Sequence, residues 1–358
     1  MSAAPVNNTN RILTLDIAKG LGILLVVLGH NPVFREGAHS FYEAIYLFHM
    51  PLFFFLSGVN FRAGPAFEAG RKRGRTLLVP YFVMGLLGVL VALVSGPMAA
   101  LNELGGVIYG VGHTIRFVPL WFLPCLFMTS MAATFLMSAA RAFTPKERLE
   151  NRQTMLLASL ALTSLVIGSL ILNSQVFASA PYLDALGRPL GLPWSLDLVP
   201  FVLGVFFVGT LAARAPLVYR CPQPWLVLLA AASVLAVLTV YGASLDLNYR
   251  RLTHPLAAIA AMAAGIVMIM ALSTLVARVA WAARLFGYLG SASLIILMIH
   301  SPLQKRLVSP VLHAHLPDAL TVVGSVGVTV GLICAFDLLI LRRVHALGWV
   351  VYRRREVL

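Results

Sequence analysis

Ten apolar stretches succeed one another along this chain, near residues 12–30, 42–61, 77–95, 119–140, 154–172, 197–213, 225–243, 255–277, 286–301 and 318–341. A hydrocarbon layer about 30 Å thick takes roughly 20 apolar residues per helix, which is the length of these stretches. Lipid offers no water to a free backbone group, so each stretch must satisfy its own N–H and C=O groups as a helix. The expected fold is therefore all-α: a polytopic integral membrane protein with about ten transmembrane helices. It reads as a single domain over residues 1–358, with a helical core at about 12–341.

Composition closes off the soluble alternatives. Hydrophobic residues make up 59% of the chain and charged residues 11%, where a soluble domain carries about 25% charged. The formal net charge of +14 does not point to nucleic acid, which would need a soluble basic face. The Lys and Arg residues fall between apolar stretches, where topology places them. Of the 27 basic residues, Lys19 lies inside the first stretch. Arg35, Arg116, Arg188, Arg250, Arg251, Lys305 and Arg306 fall on one side of the alternating helices, and the other 19 on the opposite side. By the positive-inside rule both termini are cytoplasmic, and only an even number of helices keeps that alternation.

The first stretch does not read as a cleavable signal peptide. Asp16 and Lys19 stand near its start, and no small-residue cleavage site follows. Cys125, Cys221 and Cys334 are irregularly spaced and suggest neither a disulfide framework nor a metal site. The longest outer loops, roughly 96–118 and 173–196, are rich in Gly, Pro and aromatic residues. No internal repeat appears.

Ionisable side chains inside membrane helices are costly and usually functional. The run LTLDIAKGLGILLVVLGH carries three of them. Asp16 and Lys19 are three residues apart and can pair on one face. His30 comes eleven residues after Lys19, so it returns to within roughly 20° of that face, about 16 Å further along. A packing role for the Asp16–Lys19 pair and an interfacial role for His30 beside Asn31 and Pro32 are the simpler readings. In YLFHMPLFFFLSGVNF, His49 precedes Pro51, and Ser57 with Gly58 allows close helix approach. Arg71, Lys72, Arg73 and Arg75 in RKRGRTLLVPYF form a basic cluster at the mouth of the third helix. They are either topology anchors or a phosphate clamp. His300, in SLIILMIHSPLQKR, lies near the outer end of the ninth helix.

LDIAKGLGILLVVLGH, FHMPLFFFLSG, the basic run before LLVPYF, and LWFLPCLF occur in that order. Together they resemble the membrane acyltransferase 3 family, in the branch of fucose 4-O-acetylase-like proteins and exopolysaccharide O-acetyltransferases. The resemblance runs from about Arg11 to about Leu341. It implies a ten-helix core that transfers acyl groups, usually acetyl from acetyl-CoA, to extracytoplasmic carbohydrate. Lys19 and His30 match the family's basic residue, ten intervening residues and histidine. Lys replaces the more usual Arg, which keeps the charge and loses the bidentate geometry. Phe54, Phe55, Ser57 and Gly58 match its second-helix signature, and Lys72 with Arg75 is the nearest counterpart of its third-helix basic pair.

The resemblance implies acyl transfer, and the residues' own chemistry gives the following expected roles. His30, Lys19 and Asp16 are catalytic. Arg71, Lys72, Arg73 and Arg75 hold the phosphates of acetyl-CoA, the acyl donor, with no metal involved. His49, Ser57 and His300 contact the substrate. The implied partners are a polysaccharide or lipid-linked oligosaccharide acceptor, membrane lipid and polysaccharide-assembly proteins, with no nucleic acid. The implied location is the bacterial inner membrane. Family members acting on peptidoglycan often carry an extra soluble domain, which this sequence lacks, so exopolysaccharide or O-antigen is the expected acceptor. A secondary transporter or glycan flippase would also bury Asp, Lys and His, but no paired interrupted helices suggest an inverted repeat.

Overall fold

A computed structural model describes residues 8–142, 149–174, 176, 191–215, 221 and 223–343; within these, the side chains of 8–12, 141–142 and 149–152 are not described. Several residues of the charge count, among them Lys146, Arg148, Arg188, Arg220, Arg353, Arg354 and Arg355, lie outside the described residues, as do both termini.

The described chain is almost entirely helical. In order it forms α1 (Asn8–Gly29), α2 (Pro32–Gly37), α3 (His39–Val59), α4 (Ala66–Arg73), α5 (Val79–Leu93), α6 (Pro97–Tyr109), α7 (Phe122–Ala142) and α8 (Leu149–Asn173). It continues with α9 (Val199–Ala212), α10 (Pro224–Val240), α11 (Pro255–Val276), α12 (Ala280–Ser291), α13 (Ser293–Leu303), α14 (Ser309–His313) and α15 (Asp318–Phe336). Wide π turns at Gly74–Leu78, Gln304–Val308 and Asp337–Leu341 join or extend these helices. Two three-residue strands, β1 (Ser244–Asp246) and β2 (Arg251–Thr253), form a hairpin.

Nine of the ten apolar stretches each coincide largely with one helix. Among the described residues, seven helices are long and apolar enough to cross a membrane: His39–Val59, Ala66–Leu93, Val118–Ala140, Gln153–Asn173, Pro193–Ala212, Pro255–Val276 and Asp318–Leu341. A bent pair, Ala280–Ser291 with Ser293–His313, makes eight if it is one span. The protein is a multi-pass helical membrane protein.

Three local expectations are corrected. The ninth stretch is not one helix over 286–301: it breaks at Ala292 with a bend of 76° and runs from Ala280 to His313. A Gly–Ser–Ala–Ser run at residues 290–293 supplies little side-chain packing to hold the turns straight. The expected loop at 96–118 contains α6, which begins after Gly96 with Pro97 in its first turn. Pro has no N–H to lose at that position and is favoured there. The basic run 71–75, expected at the mouth of the third helix, lies within a helix, and Ala66–Leu93 is continuous through the π turn.

The chain divides into two compact units. One comprises Met1–Val59, Ala212–Leu245 and Thr253–Ala335; the other comprises Asn60–Leu211, Asp246–Leu252 and Phe336–Leu358. In the first unit α1 is central, packed on α12 most extensively and also on α3, α11 and α13. The α1–α12 crossing is backbone on backbone. A Cβ at Gly20 would overlap the Phe286 carbonyl, and one at Gly290 would overlap the Asp16 carbonyl. Only glycine permits this approach. Gly265 of α11 likewise lies under the Phe48 ring of α3.

In the second unit α4 packs on α7, and α5 on α6. A buried ion pair ties its loops: Arg250 Nε lies 2.9 Å from Asp197 Oδ2, with side chains 2% and 0% exposed. Arg250 also donates to the Asn248 carbonyl and the Ser195 hydroxyl, and Asp197 accepts from the Leu192 N–H. Trp194, Ser195 and Arg250 adopt positive φ around this pair, a strained arrangement for residues with side chains.

Candidate active site

The end of α1 is set by sequence. Pro32 has no N–H and its ring would clash with the carbonyl four residues back, so a helix cannot run smoothly through His30–Asn31. Asn31 is fully buried and caps α2, its Oδ1 accepting the Phe34 N–H at 3.1 Å. Its amide Nδ2 donates to the Ser325 hydroxyl of α15. The residue next to His30 is thus fixed from two directions.

Three histidines of the first unit share one local geometry. His30 Nδ1 lies 2.8 Å from the Val26 carbonyl, His49 Nδ1 2.9 Å from the Ile45 carbonyl, and His300 Nδ1 2.9 Å from the Ile296 carbonyl. A carbonyl can only accept, so each Nδ1 carries the proton. In the neutral ring Nε2 then holds the lone pair, as a general base requires. The His30 and His300 rings meet edge-on, with centroids 5.1 Å apart and planes at 83°. His30 is half-buried, whereas His300 is fully buried. Residues 270 positions apart in sequence are therefore in contact. His49 is 3% exposed and packs on the Tyr46 ring at 4.6 Å. The Tyr46 hydroxyl donates to the Gly29 carbonyl at 3.3 Å, which links α3 to the last turn of α1.

The other expected site residues lie elsewhere. Asp16 and Lys19 pair at 2.9 Å, with side chains 30% and 32% exposed. The rise of α1 puts Lys19 about 16 Å and Asp16 about 21 Å from His30 along the helix. Ser57 is half-buried on α3. In the second unit Arg71, Lys72 and Arg75 are exposed. Arg73 is engaged within the protein: its guanidinium donates to the Ser130 carbonyl at 3.0 Å and to the Thr134 hydroxyl, and lies 5.0 Å over the Phe61 ring. Arg73 therefore ties α4 to α7.

Sequence reasoning missed Gln304, Asn31 and the Asp197–Arg250 pair. Gln304 stood four residues after His300, a visible helical spacing. Nothing in the sequence pairs Arg250 with Asp197, which is 53 positions away.

The described chain is thus a multi-pass helical membrane protein in which a half-buried and a fully buried histidine, His30 and His300, lie side by side. The chain belongs to the acyltransferase 3 family, whose acyltransferase-domain model matches residues 12–339. It is similar to nodulation protein NolL of Mesorhizobium japonicum, 32% identical over 113 residues, or 28% of this chain and 30% of that protein. It is also similar to nodulation protein NolL of Sinorhizobium fredii, 46% identical over 56 residues, or 14% and 15% of the two chains. The matched segments thus span under a third of these relatives' length. No solved structure matches the chain.

Proposed function

We propose that the protein is an O-acetyltransferase of the bacterial inner membrane. It moves an acetyl group from cytoplasmic acetyl-CoA to a sugar hydroxyl of an extracytoplasmic or lipid-linked polysaccharide. An exopolysaccharide of xanthan or succinoglycan type is preferred, with O-antigen next. The observation that carries this reading is the His30–His300 pair, with Nδ1 of each ring committed to its own helix, in a chain of an acyltransferase family.

In the proposed reaction His30 Nε2 takes the proton of the acceptor hydroxyl. The oxygen attacks the thioester carbonyl, the C–S bond breaks, and the CoA thiolate leaves and is protonated. His300 orients the His30 ring, and His49 and Ser57 contact substrate. Lys19 helps neutralise the donor or holds Asp16, with which it pairs at 2.9 Å. The test is NMR of surface polysaccharide from a deletion strain, which should lack O-acetyl signals that the complemented strain regains. Identical spectra would sink the reading.

Arg71, Lys72 and Arg75 are proposed to hold the donor's phosphates. Replacing Arg71→Ala with Arg75→Ala should raise the apparent KM for acetyl-CoA by about tenfold, as loss of charge-assisted bonds does. The acceptor KM should stay unchanged. Equal effects on both, or none, would leave these residues as topology anchors. Both termini are proposed to be cytoplasmic, with ten spans. A fusion after Leu358 should be active with a cytoplasmic reporter and silent with a periplasmic one; the reverse result would invert the topology.

A further inference from the structure

Resting on the acyltransferase reading, we propose that Gln304 and His300 form the subsite that binds neighbouring ring hydroxyls of the acceptor sugar beside His30. Gln304 opens the π turn that follows α13. Its backbone N–H reaches the carbonyls of His300 and Ser301, so it stands one turn beyond His300 on the same helix face. Gln304 is fully buried, and among the described residues neither Oε1 nor Nε2 of its amide has a hydrogen-bond partner. The same is true of His300 Nε2 and of the hydroxyl of Ser309, whose backbone N–H reaches the Gln304 carbonyl across the turn.

Burying an amide with both ends unpaired is expensive, and a leucine of similar volume would avoid the cost. Three such groups in succession on one helical segment, beginning against the His30 ring, are a poor way to build a core. They suit a ligand that both donates and accepts. The amide offers donors and an acceptor, the imidazole Nε2 an acceptor, and the serine hydroxyl both. Vicinal sugar hydroxyls match that set. An anion does not, because the imidazole Nε2 and the amide Oε1 would turn lone pairs toward it. The π turn, where a helix widens, is a backbone form often found at functional sites.

The experiment uses membranes containing the full-length protein, radiolabelled acetyl-CoA, and de-O-acetylated surface polysaccharide from the same strain as the acceptor. Gln304→Leu should raise the apparent acceptor KM by about tenfold or more. It should leave the donor KM unchanged and keep or raise the melting temperature, because an unpaired amide has been removed. Gln304→Asn, which retains an amide, should recover part of the acceptor use. An acceptor KM within about twofold of wild type, or a fall in melting temperature with equal losses for donor and acceptor, would make Gln304 a structural or water-holding group and overturn the subsite. If Gln304→Leu does not accumulate, the same KM split in Gln304→Asn decides. Absence of labelled polymer with wild-type protein would refute the acyltransferase reading itself, whereas labelling by wild type with no acceptor defect in either variant refutes the subsite alone.

Discussion

On the proposed mechanism, His30→Ala is expected to abolish transfer of acetyl groups to polysaccharide while the protein still inserts and folds. The expected loss is about 10²–10⁴-fold, the usual contribution of a positioned general base. The folded state should survive because the ring's hydrogen bond is to Val26 of its own helix. The neighbouring chain is held independently by Asn31 through Phe34 and Ser325. Radiolabel incorporation measures the loss, and size-exclusion elution in detergent together with acetyl-CoA binding reports on the fold. A variant retaining more than about a tenth of wild-type activity would exclude a base role of that size. His300, whose ring is 5.1 Å away, would then be the group to test.

Asp197→Ala should destabilise the protein by about 3–5 kcal/mol, the cost of leaving one member of a buried ion pair without its partner. Arg250 is 3% exposed. After the substitution its guanidinium would keep the Asn248 carbonyl and the Ser195 hydroxyl but no counter-charge. The Leu192 N–H would lose its acceptor as well. Thermal unfolding in detergent should show a much lower midpoint. Adding Arg250→Ala to the same chain should cost less than the sum of the two single changes, because the pair couples. Additive losses, or an unchanged midpoint, would show that the pair does not act as a buried unit.

The sequence disclosed helices where an apolar stretch alone decides the matter. The stretches at 42–61 and 255–277 correspond to α3 and α11 because lipid permits little else. It also disclosed the Asp16–Lys19 contact, which depends only on a spacing of three along one helix. The break at Ala292 was not legible, since Gly, Ser and Ala are also ordinary helix-packing residues in membranes. Its effect depends on α12 being held against α1. Within the candidate site, His30, His49 and His300 were each visible as misplaced polar residues. That His30 and His300 touch, and that His49 is turned toward Tyr46, follow from tertiary packing that no local pattern encodes. Arg250, counted only for the side of the membrane it marks, is almost fully buried against Asp197. Charge alone cannot say whether a cation marks a membrane face or closes a network.

The glycine contacts between α1 and α12 bear on what kind of cycle the protein can run. Where backbone rests on backbone at two levels, Gly20 on Phe286 and Gly290 on Asp16, one helix cannot slide along or roll against the other without the peptide groups colliding. Packed interfaces of this sort switch between discrete arrangements or not at all. His30 rides at the end of that same helix and so keeps a constant height relative to α12. A carrier that alternates access rocks one bundle against another around its cargo, and this crossing acts as a detent against such a stroke within the first unit. On the proposed mechanism the imidazole is a stationary post to which the two reactants must travel.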